Sequence, residues 1–232
     1  MVTADSRANR VPAGSGVPAA GLVPREFFAR PALEVAPDLL GCVLEHQTAD
    51  GLVAVALTEV EAYAGEADPA SHAYRGRTGR NAVMYGPPGH AYVYFTYGMH
   101  FCVNVVCLPE GTASAVLLRA GRVVAGERLA QHRRPVNAPA RDLARGPARL
   151  CQALAIDRAL NGADLCDPAS PLRMRKSAAL RSAEETLIRT GPRVGVREGA
   201  DVPWRFWLDG EPTVSAYRAH VSRRRYPREA TA

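Results

Sequence analysis

Short segments of apolar or alternating residues along this chain predict more strands than helices. Asp50-Gly51 lies between two β-prone segments and is a pair typical of hairpin turns. Residues 97–100 separate two further segments and are predicted to form the tip of a second, protruding hairpin. The predicted strands are residues 42–46, 52–63, 91–96, 101–107, 115–119, 172–175, 185–189, 204–208 and 214–217. Many strands with few helices are typical of an α+β domain.

Helical spacing of apolar residues is limited to residues 31–40, 123–133 and 147–156. The first helix is expected to be interrupted or to end near Pro37, because proline cannot donate a helical hydrogen bond. Pro147 occupies a first-turn position, which tolerates proline. Three short helices are therefore predicted to accompany the strands.

The two ends of the chain differ in composition from its middle. Residues 1–24 are small, polar and rich in Pro and Gly, and residues 221–232 are basic, so both are predicted to be tails, the first of them flexible. A single domain is expected over residues 25–220. We find no segment of transmembrane length and no apolar core of a signal peptide, and a soluble, cytoplasmic protein without a membrane partner is expected.

The charged residues narrow the classes of function. The chain has 232 residues, a formal net charge of +6 and a pI of about 9.3, which favours an anionic partner such as a nucleic acid. Lys176 is the only lysine among 29 Lys and Arg residues, so the chain has no Gly-Lys-Ser/Thr phosphate loop. A Schiff-base enzyme would depend on Lys176 or the N-terminal amine. The five cysteines form no CxxC pair, which argues against a disulfide framework or a zinc ribbon.

Two carboxylates lie at the end of the second predicted strand. Period-two alternation places Glu59, Glu61 and Tyr63 on one face. Such a pair beside an aromatic ring suits a catalytic base or a metal site, whereas the spacing alone favours surface glutamates on a solvated face. The second interpretation is weakened by position, because the pair directly precedes a long Gly- and Arg-rich loop.

Aromatic residues concentrate around the second hairpin. Tyr92 and Tyr94 share one strand face, and Phe95 and Phe101 are expected to pack across the strands. Tyr97 lies at the predicted tip beside a methionine, where burial is least expected. An aromatic residue in that position could act as a wedge between stacked bases.

The long loop before the second hairpin carries further candidates. Loops of this length inside a compact domain are usually functional or disordered. Arg75, Arg77 and Arg80 lie among glycines and suit contacts to phosphate groups. His72, taken alone, is more often a packed or solvated residue than a catalyst.

Arg119 follows the four apolar residues 115–118. A guanidinium after a buried strand needs a partner, which a carboxylate or a phosphate would supply. An ordinary strand-end charge is an equally good interpretation.

These features and their order along the chain closely resemble the sequences of the alkyladenine (3-methyladenine) DNA glycosylase family, the type shared by mammals and many bacteria. The resemblance runs from about Arg25 to Arg218. Its motifs are Glu61-Ala62-Tyr63, Ser71-His72, Tyr92-Val93-Tyr94, Tyr97-Gly98-Met99, Phe101-Cys102, Asn104, Leu117-Leu118-Arg119-Ala120, Gly146-Pro147, Leu150-Cys151-Gln152-Ala153-Leu154, Gly191-Pro192-Arg193-Val194-Gly195-Val196 and Arg205-Phe206. It implies an α+β fold with a curved, mostly antiparallel sheet, flanking helices and a protruding hairpin.

The resemblance assigns roles residue by residue. Glu61 matches the family's general base, and Arg119 matches the arginine beside that glutamate and its bound water. Tyr63, His72 and Tyr94 match the residues that stack on a flipped base, where electron-rich faces attract cationic bases. These five residues are the predicted centre of the site.

Further positions follow from the same resemblance. Asn104 matches the pocket-floor residue that disfavours the 2-amino group of guanine. Tyr97 and Met99 match the family's intercalating hairpin tip. The neighbouring His100 departs from the family, which is expected to have an aromatic residue at this position. Glu59 has no assigned role and is interpreted as structural or DNA-facing.

The implied activity is that of a monofunctional DNA glycosylase. Such an enzyme flips alkylated or deaminated purines (3-methyladenine, 7-methylguanine, hypoxanthine, ethenoadenine) from double-stranded DNA and hydrolyses the N-glycosidic bond with a glutamate-activated water. The resemblance implies no metal, no organic cofactor and no lyase activity, and a monomer is expected. Two alternatives remain: a catalytically silent nucleic-acid-binding domain on this scaffold, and a metal-dependent phosphodiesterase using Glu59, Glu61 and His72.

Overall fold

The computed structural model describes residues 21–96, 98–135, 137–176 and 188–220. Within them one curved sheet has the strand order β3-β4-β5-β2-β1-β6, with β8 also paired to β2 and β7 paired to β8. The strands are β1 (Val43–Thr48), β2 (Gly51–Tyr63), β3 (Ala91–Thr96), β4 (His100–Val106), β5 (Ala115–Ala125), β6 (Leu172–Arg175), β7 (Ile188–Gly191) and β8 (Arg205–Leu208). All these pairs are antiparallel, and the predicted α+β class is confirmed.

Strand β2 lies at the centre of the sheet and its two halves have different neighbours. Its first half pairs with β1, and residues 59–61 pair with β8 instead. Strand β5 runs along the other edge of both halves, with register shifts on either side of Glu59. A β-bulge of this kind changes which face successive side chains occupy.

The bulge reverses the face that β2 turns towards the main hydrophobic core. The core residues have odd numbers before the bulge and even numbers after it: Val53, Val55 and Leu57, then Val60 and Ala62. Uninterrupted alternation would have carried Glu59 and Glu61 into the apolar core. The bulge instead turns both carboxylates to the opposite face.

Four helices border the sheet in the described residues: α1 (Arg25–Phe28), α2 (Ala32–Leu39), α3 (Glu127–His132) and α4 (Pro147–Leu154). Helices α2 and α4 contribute Val35, Leu39, Leu150 and Leu154 to the same core as β2. The predicted first and third helices are confirmed to within two residues, and α2 ends two residues after Pro37.

The helix predicted over residues 123–133 begins too early. Val123 and Ala125 belong to β5, where they pair with Val55 and Ala54. Helix α3 begins only after Gly126, which has φ 73°. A side chain at this glycine would meet the Leu52 carbonyl oxygen 2.1 Å away, so the close approach of the two strands sets the boundary.

The strand predicted over residues 214–217 is not formed. The N–H of Ser215 donates to the Glu59 carboxylate at 2.7 Å, and its carbonyl accepts from Arg205 Nη2 at 2.7 Å. Buried side chains therefore take the place of a partner strand. Of the strand predicted at 185–189, residues 185–187 lie outside the described residues.

The predicted tails lie mostly at residues 1–20 and 221–232, outside the described residues. Val23, near the end of the predicted N-terminal tail, is fully buried, and its N–H donates to the Met174 carbonyl at 2.9 Å. The folded part of the chain thus begins before Arg25. In the described part of the chain, every helix is too short or too polar to cross a membrane.

Candidate active site

The candidate site lies on the sheet face opposite the main core, where strand register aligns residues of five strands. Tyr92 pairs with Asn104, Asn104 with Leu117, Leu117 with Glu61, and Glu61 with Arg205. Directly opposed residues in antiparallel strands have Cβ atoms about 5 Å apart. The sheet therefore brings together residues that are far apart in the sequence.

A cavity of about 550 Å³ opens over this row. The predicted residues that line it are Tyr63, His72, Tyr94, Asn104 and Arg119. Further walls come from the loop after β2, from the start of α4 and from residues 194–198. Its size and aromatic lining suit a flat organic group such as a purine.

Glu61 lies directly behind the cavity lining and has no exposed surface. Its Oε1 accepts the backbone N–H of Val194 at 2.7 Å and lies 3.2 Å from Nη1 of Arg119. Its Oε2 accepts the Tyr63 hydroxyl at 2.9 Å. All three partners line the cavity.

The interpretation of Glu59 and Glu61 as surface glutamates is wrong, because β5 and β8 flank this part of β2 and both side chains are buried.

Arg119 lies inside β5 and is 5% exposed, so it is not an ordinary strand-end charge. Its Nε is 2.7 Å from Glu59 Oε1 and its Nη1 faces Glu61. Burial alone would lower the pKa of Arg119, but the two carboxylates outweigh burial and raise this pKa. The guanidinium therefore stays charged and bridges the two glutamates.

Glu59 holds the other end of this cluster. Its carboxylate accepts hydrogen bonds from Nε of Arg119 at 2.7 Å, Nε of Arg205 at 2.8 Å, and the N–H and hydroxyl of Ser215 at 2.7 and 2.9 Å. Burial favours the neutral acid, but Arg119 and Arg205 outweigh it and lower the pKa of Glu59. Glu59 is structural, and the DNA-facing interpretation is wrong because its side chain has no exposed surface.

Three rings form one wall of the cavity. The rings of His72 and Tyr94 meet edge to face with centroids 4.5 Å apart, and those of Tyr92 and Tyr94 are 5.5 Å apart. His72 Nδ1 lies 3.0 Å from the Tyr92 hydroxyl. Desolvation and the positive charge of Arg80 lower the pKa of His72, so its ring is neutral at pH 7.

Two polar side chains of the cavity are fixed by hydrogen bonds. The Asn104 amide donates from Nδ2 to the Tyr92 carbonyl at 3.1 Å, which sets its orientation below the cavity. Burial, with the charge of Glu61, raises the pKa of Tyr63 well above its ordinary value. The Tyr63 hydroxyl is therefore protonated and donates to Glu61.

The predicted hairpin tip connects β3 and β4. Met99 is 67% exposed there, and His100 lines the cavity. Tyr97, the predicted wedge, lies outside the described residues. Met99 is thus exposed, and its intercalating role stays a prediction.

The loop arginines lie between β2 and β3. Arg75, Arg77 and Arg80 are exposed, and none is paired with a carboxylate among the residues that the structure describes. The Arg80 guanidinium lies 5.9 Å from the centroid of Tyr94. Arg75 and Arg80 line a second cavity of about 650 Å³, which shares His72 with the first. Two of the three loop arginines therefore line a cavity next to the candidate site, together with Glu198.

Two contacts at the site carry no distinct sequence signal. The Val194 N–H bonds Glu61, and the preceding Arg193 forms a buried ion pair with Asp68. Both residues belong to the motif at 191–196, which the resemblance includes without a role. Because nearly every residue has a backbone N–H, the type of residue 194 does not predict this hydrogen bond. The motif was therefore the only sequence signal that this segment belongs to the site.

The metal-ligand hypothesis for Glu59, Glu61 and His72 does not fit this arrangement. The carboxylates are engaged by guanidinium and N–H groups, and His72 Nδ1 faces a tyrosine hydroxyl. Within the described ranges, no three His, Cys, Asp or Glu side chains are grouped so that they could hold a metal ion.

Comparison with known proteins identifies the family. The model of the methylpurine-DNA glycosylase family matches residues 26–212. A relative from Streptomyces avermitilis is 58% identical over 203 residues, which cover 87% of this chain and 94% of the relative. One from Leifsonia xyli is 54% identical over 204 residues, which cover 84% of this chain and 92% of the relative. One from Mycobacterium tuberculosis is 53% identical over 198 residues, which cover 83% of this chain and 93% of the relative. Each carries a name that refers to a 3-methyladenine DNA glycosylase. The chain therefore belongs to the methylpurine-DNA glycosylase family and is a DNA glycosylase.

Proposed function

We propose that this enzyme removes alkylated or deaminated purines from double-stranded DNA with a water molecule activated by Glu61, and so starts base excision repair. The substrates are those of the 3-methyladenine, 7-methylguanine, hypoxanthine and ethenoadenine class. The observation that carries the proposal is the Glu61 carboxylate, which is buried behind an aromatic cavity and bonded to three of its lining residues.

The target nucleotide leaves the base stack before it reacts. A glycosidic bond inside a duplex is out of reach of an enzyme-held water, so the nucleotide must be flipped into a pocket. The cavity of about 550 Å³ can accept a purine, and Tyr63, His72 and Tyr94 supply aromatic surfaces for it. Cationic alkylated bases gain cation–π attraction from these rings.

Glu61 acts as the general base. A bond forms between the water oxygen and C1′ of the sugar while the bond from C1′ to the base nitrogen breaks, and the water proton passes to Glu61. A cationic base departs as a neutral molecule. A neutral base takes up one proton as it leaves, which in the overall balance equals the proton that the water gives to Glu61. A carboxylate has about four acceptor positions, so the three contacts of Glu61 leave one acceptor position on Oε2 that the attacking water can use.

Arg119 and the Val194 N–H hold Glu61 in position. The Arg119 guanidinium lies 3.2 Å from Oε1, and the Val194 N–H donates to the same oxygen at 2.7 Å. Two donors on one oxygen fix the orientation of the carboxylate. The negative charge of Glu61 also stabilises the cationic sugar of the transition state.

Asn104 supplies selection against undamaged guanine. Its amide is held by the Tyr92 carbonyl at the cavity floor, where the 2-amino group of a guanine would meet it. A fixed polar group opposed to one substituent lowers the affinity for the base that carries it. Adenine-derived lesions and hypoxanthine lack that amino group, whereas 7-methylguanine retains it and is therefore expected to be the least favoured of the proposed substrates at this position.

The duplex is held outside the cavity. Tyr97 and Met99 at the hairpin tip fill the space of the flipped nucleotide, and Arg75, Arg77 and Arg80 contact the phosphates. One chain carries all of these groups, so a monomer is sufficient for the proposed activity.

The enzyme cleaves only the glycosidic bond. A lyase reaction needs an amine that forms a Schiff base with the sugar. Lys176 is exposed and follows β6, the edge strand separated from β2 by β1, whereas the cavity lies over β2 to β5. No lysine is therefore placed to attack C1′.

Base release from duplexes containing hypoxanthine or 3-methyladenine tests the proposal. We expect release of the free base, an intact DNA backbone, and the same rate with and without a chelator. A protein that binds the duplex without releasing either base would be the silent scaffold. Backbone cleavage that is lost with the chelator would instead identify a metal-dependent phosphodiesterase.

A further inference from the structure

Behind the cavity wall, Arg193 places a buried positive charge against Tyr63. We propose that this charge sets the preference of the pocket between cationic and neutral damaged purines. The inference rests on the proposed function, because it concerns how the same pocket selects its base. Arg193 does not touch the base and acts through the Tyr63 ring.

Arg193 is fixed in place by several hydrogen bonds and has a fully buried side chain. Its Nη1 and Nη2 donate to the two carboxylate oxygens of Asp68 at 2.6 and 2.9 Å. Further bonds run from Nη1 to the Ala62 carbonyl at 3.1 Å and from Nη2 to the Gly199 carbonyl at 3.3 Å. Such a bidentate, desolvated pair holds the guanidinium in a single position.

The guanidinium lies over two aromatic rings. Its central carbon lies 4.7 Å from the centroid of Tyr63 and 5.0 Å from that of Trp204. The buried Nε–H has no hydrogen-bond partner among the described residues, so the rings are its main neighbours. Tyr63 lines the cavity, whereas Arg193 is buried and does not line it, and we infer that the guanidinium lies on the side of the ring away from the cavity.

A cation on one side of a ring affects binding on the other side. Cation–π attraction depends on the negative potential of the ring face, and a positive charge behind the ring reduces that potential. A cationic base against Tyr63 is therefore held less tightly than it would be without Arg193, while a neutral base is hardly affected. The negative charge of Asp68 opposes this effect, so a test must remove both charges together.

Arg193 also supports the shape of the pocket. Asp68, its partner, accepts the N–H groups of Ala64 and Ala70 in the loop that leads to His72. Loss of Arg193 alone would leave a buried carboxylate unpaired and would lower the activity on every substrate. The ratio of rates on two substrates removes this general loss, because both are measured on the same preparation.

The test compares release of 3-methyladenine, which is cationic in DNA, with release of hypoxanthine, which is neutral. The first variant combines Arg193→Met with Asp68→Asn, which removes both charges and keeps an acceptor for the loop. The second is Arg193→Lys, which keeps the charge. Arg189→Met is the matched control. Arg189 is close to Arg193 in the chain, but its ion pair with Asp209 is exposed. Substrates are duplex DNA treated with a methylating agent and a synthetic duplex with one hypoxanthine.

In the double variant we expect the ratio of 3-methyladenine to hypoxanthine release, each as kcat/KM, to rise about two- to five-fold. Arg193→Lys and Arg189→Met should keep the wild-type ratio. Equal losses on both bases in the double variant would show a purely structural role and overturn the inference, while the proposed function would stand. A wild-type enzyme that releases neither base would instead refute the proposed function, and the inference with it.

Discussion

Two groups of arginines in this enzyme have opposite surroundings. Beneath the cavity, Arg119 and Arg205 are almost completely buried and share the Glu59 carboxylate. On the loop after β2, Arg75 and Arg77 are exposed and have no carboxylate partner within the described residues. The charges of the buried pair are balanced by carboxylates, whereas those of the exposed pair remain available to a ligand.

The difference shows that burial, and not residue type, decides what an arginine does here. A buried ion pair interacts strongly, and removal of one partner leaves an expensive isolated charge. An exposed charge is screened by salt and contributes little to stability. Substitutions beneath the cavity should therefore change chemistry and folding, and those on the loop should change DNA binding alone.

The largest effect is expected for Glu61→Gln. The amide cannot take the proton of the attacking water, and excision of hypoxanthine under single-turnover conditions should fall by roughly 10²–10⁴-fold. Duplex binding should remain within a few-fold of wild type. Glu110→Gln, an exposed change of the same type, serves as the control. A wild-type rate for Glu61→Gln would disprove the role of the general base.

Glu59→Gln should have its main effect on stability. It removes the negative charge that Arg119 and Arg205 share, and a loss of about 3 kcal/mol in the free energy of unfolding is expected. Urea unfolding measures the change. Arg189→Gln breaks an exposed pair and should cost less than about 1 kcal/mol. Similar losses in the two variants would contradict the contrast between buried and exposed charges.

The lowered pKa of Glu59 predicts that the stability of the folded state depends on pH. The pKa of Glu59 is lowered from an ordinary value of 4.5 in the folded state, because Arg119 and Arg205 outweigh burial. Below pH 4.5 the unfolded chain binds a proton at this side chain that the folded chain still lacks, so its stabilising contribution is lost as the pH falls. The stability gap between wild type and Glu59→Gln should therefore narrow from pH 7 towards acid, and a constant gap would refute this.

The smallest effect is expected for the exposed pair. The double variant Arg75→Gln with Arg77→Gln should weaken duplex binding and reduce the slope of log K against log salt by about two, roughly one per phosphate contact. Its stability should match that of wild type. Arg128→Gln, an exposed change on α3, should leave the slope unaltered. An unchanged slope in the double variant would remove these two arginines from the DNA-binding surface.

Local sequence patterns predicted most elements of the fold. The hairpin of β3 and β4 and the strand β6 were found from alternation and turn residues, since these signals are contained in a few neighbouring positions. The errors at residues 123–125 and 214–217 have a common origin. In both places a distant partner, β2 in one case and the Glu59 cluster in the other, decides where backbone hydrogen bonds go.

The candidate site was predictable only in part. The pattern around Glu61 put the carboxylates and Tyr63 on one face, and the resemblance named the residues that line the cavity. Burial of the two glutamates was not predictable, because it depends on the bulge at Glu59 and on pairing with a strand almost 150 positions later.

The sequence by itself determined the chemistry available to this enzyme: one lysine, many arginines, a Glu61-Ala62-Tyr63 motif and an aromatic hairpin. The tertiary structure decided which charges are paired and which are free. Only the folded sheet brings Arg119 between two glutamates, the Val194 N–H to Glu61 and Arg193 behind Tyr63. Alternation and turn signals act over a few residues, whereas desolvation and ion pairing depend on contacts between segments that meet only in the fold.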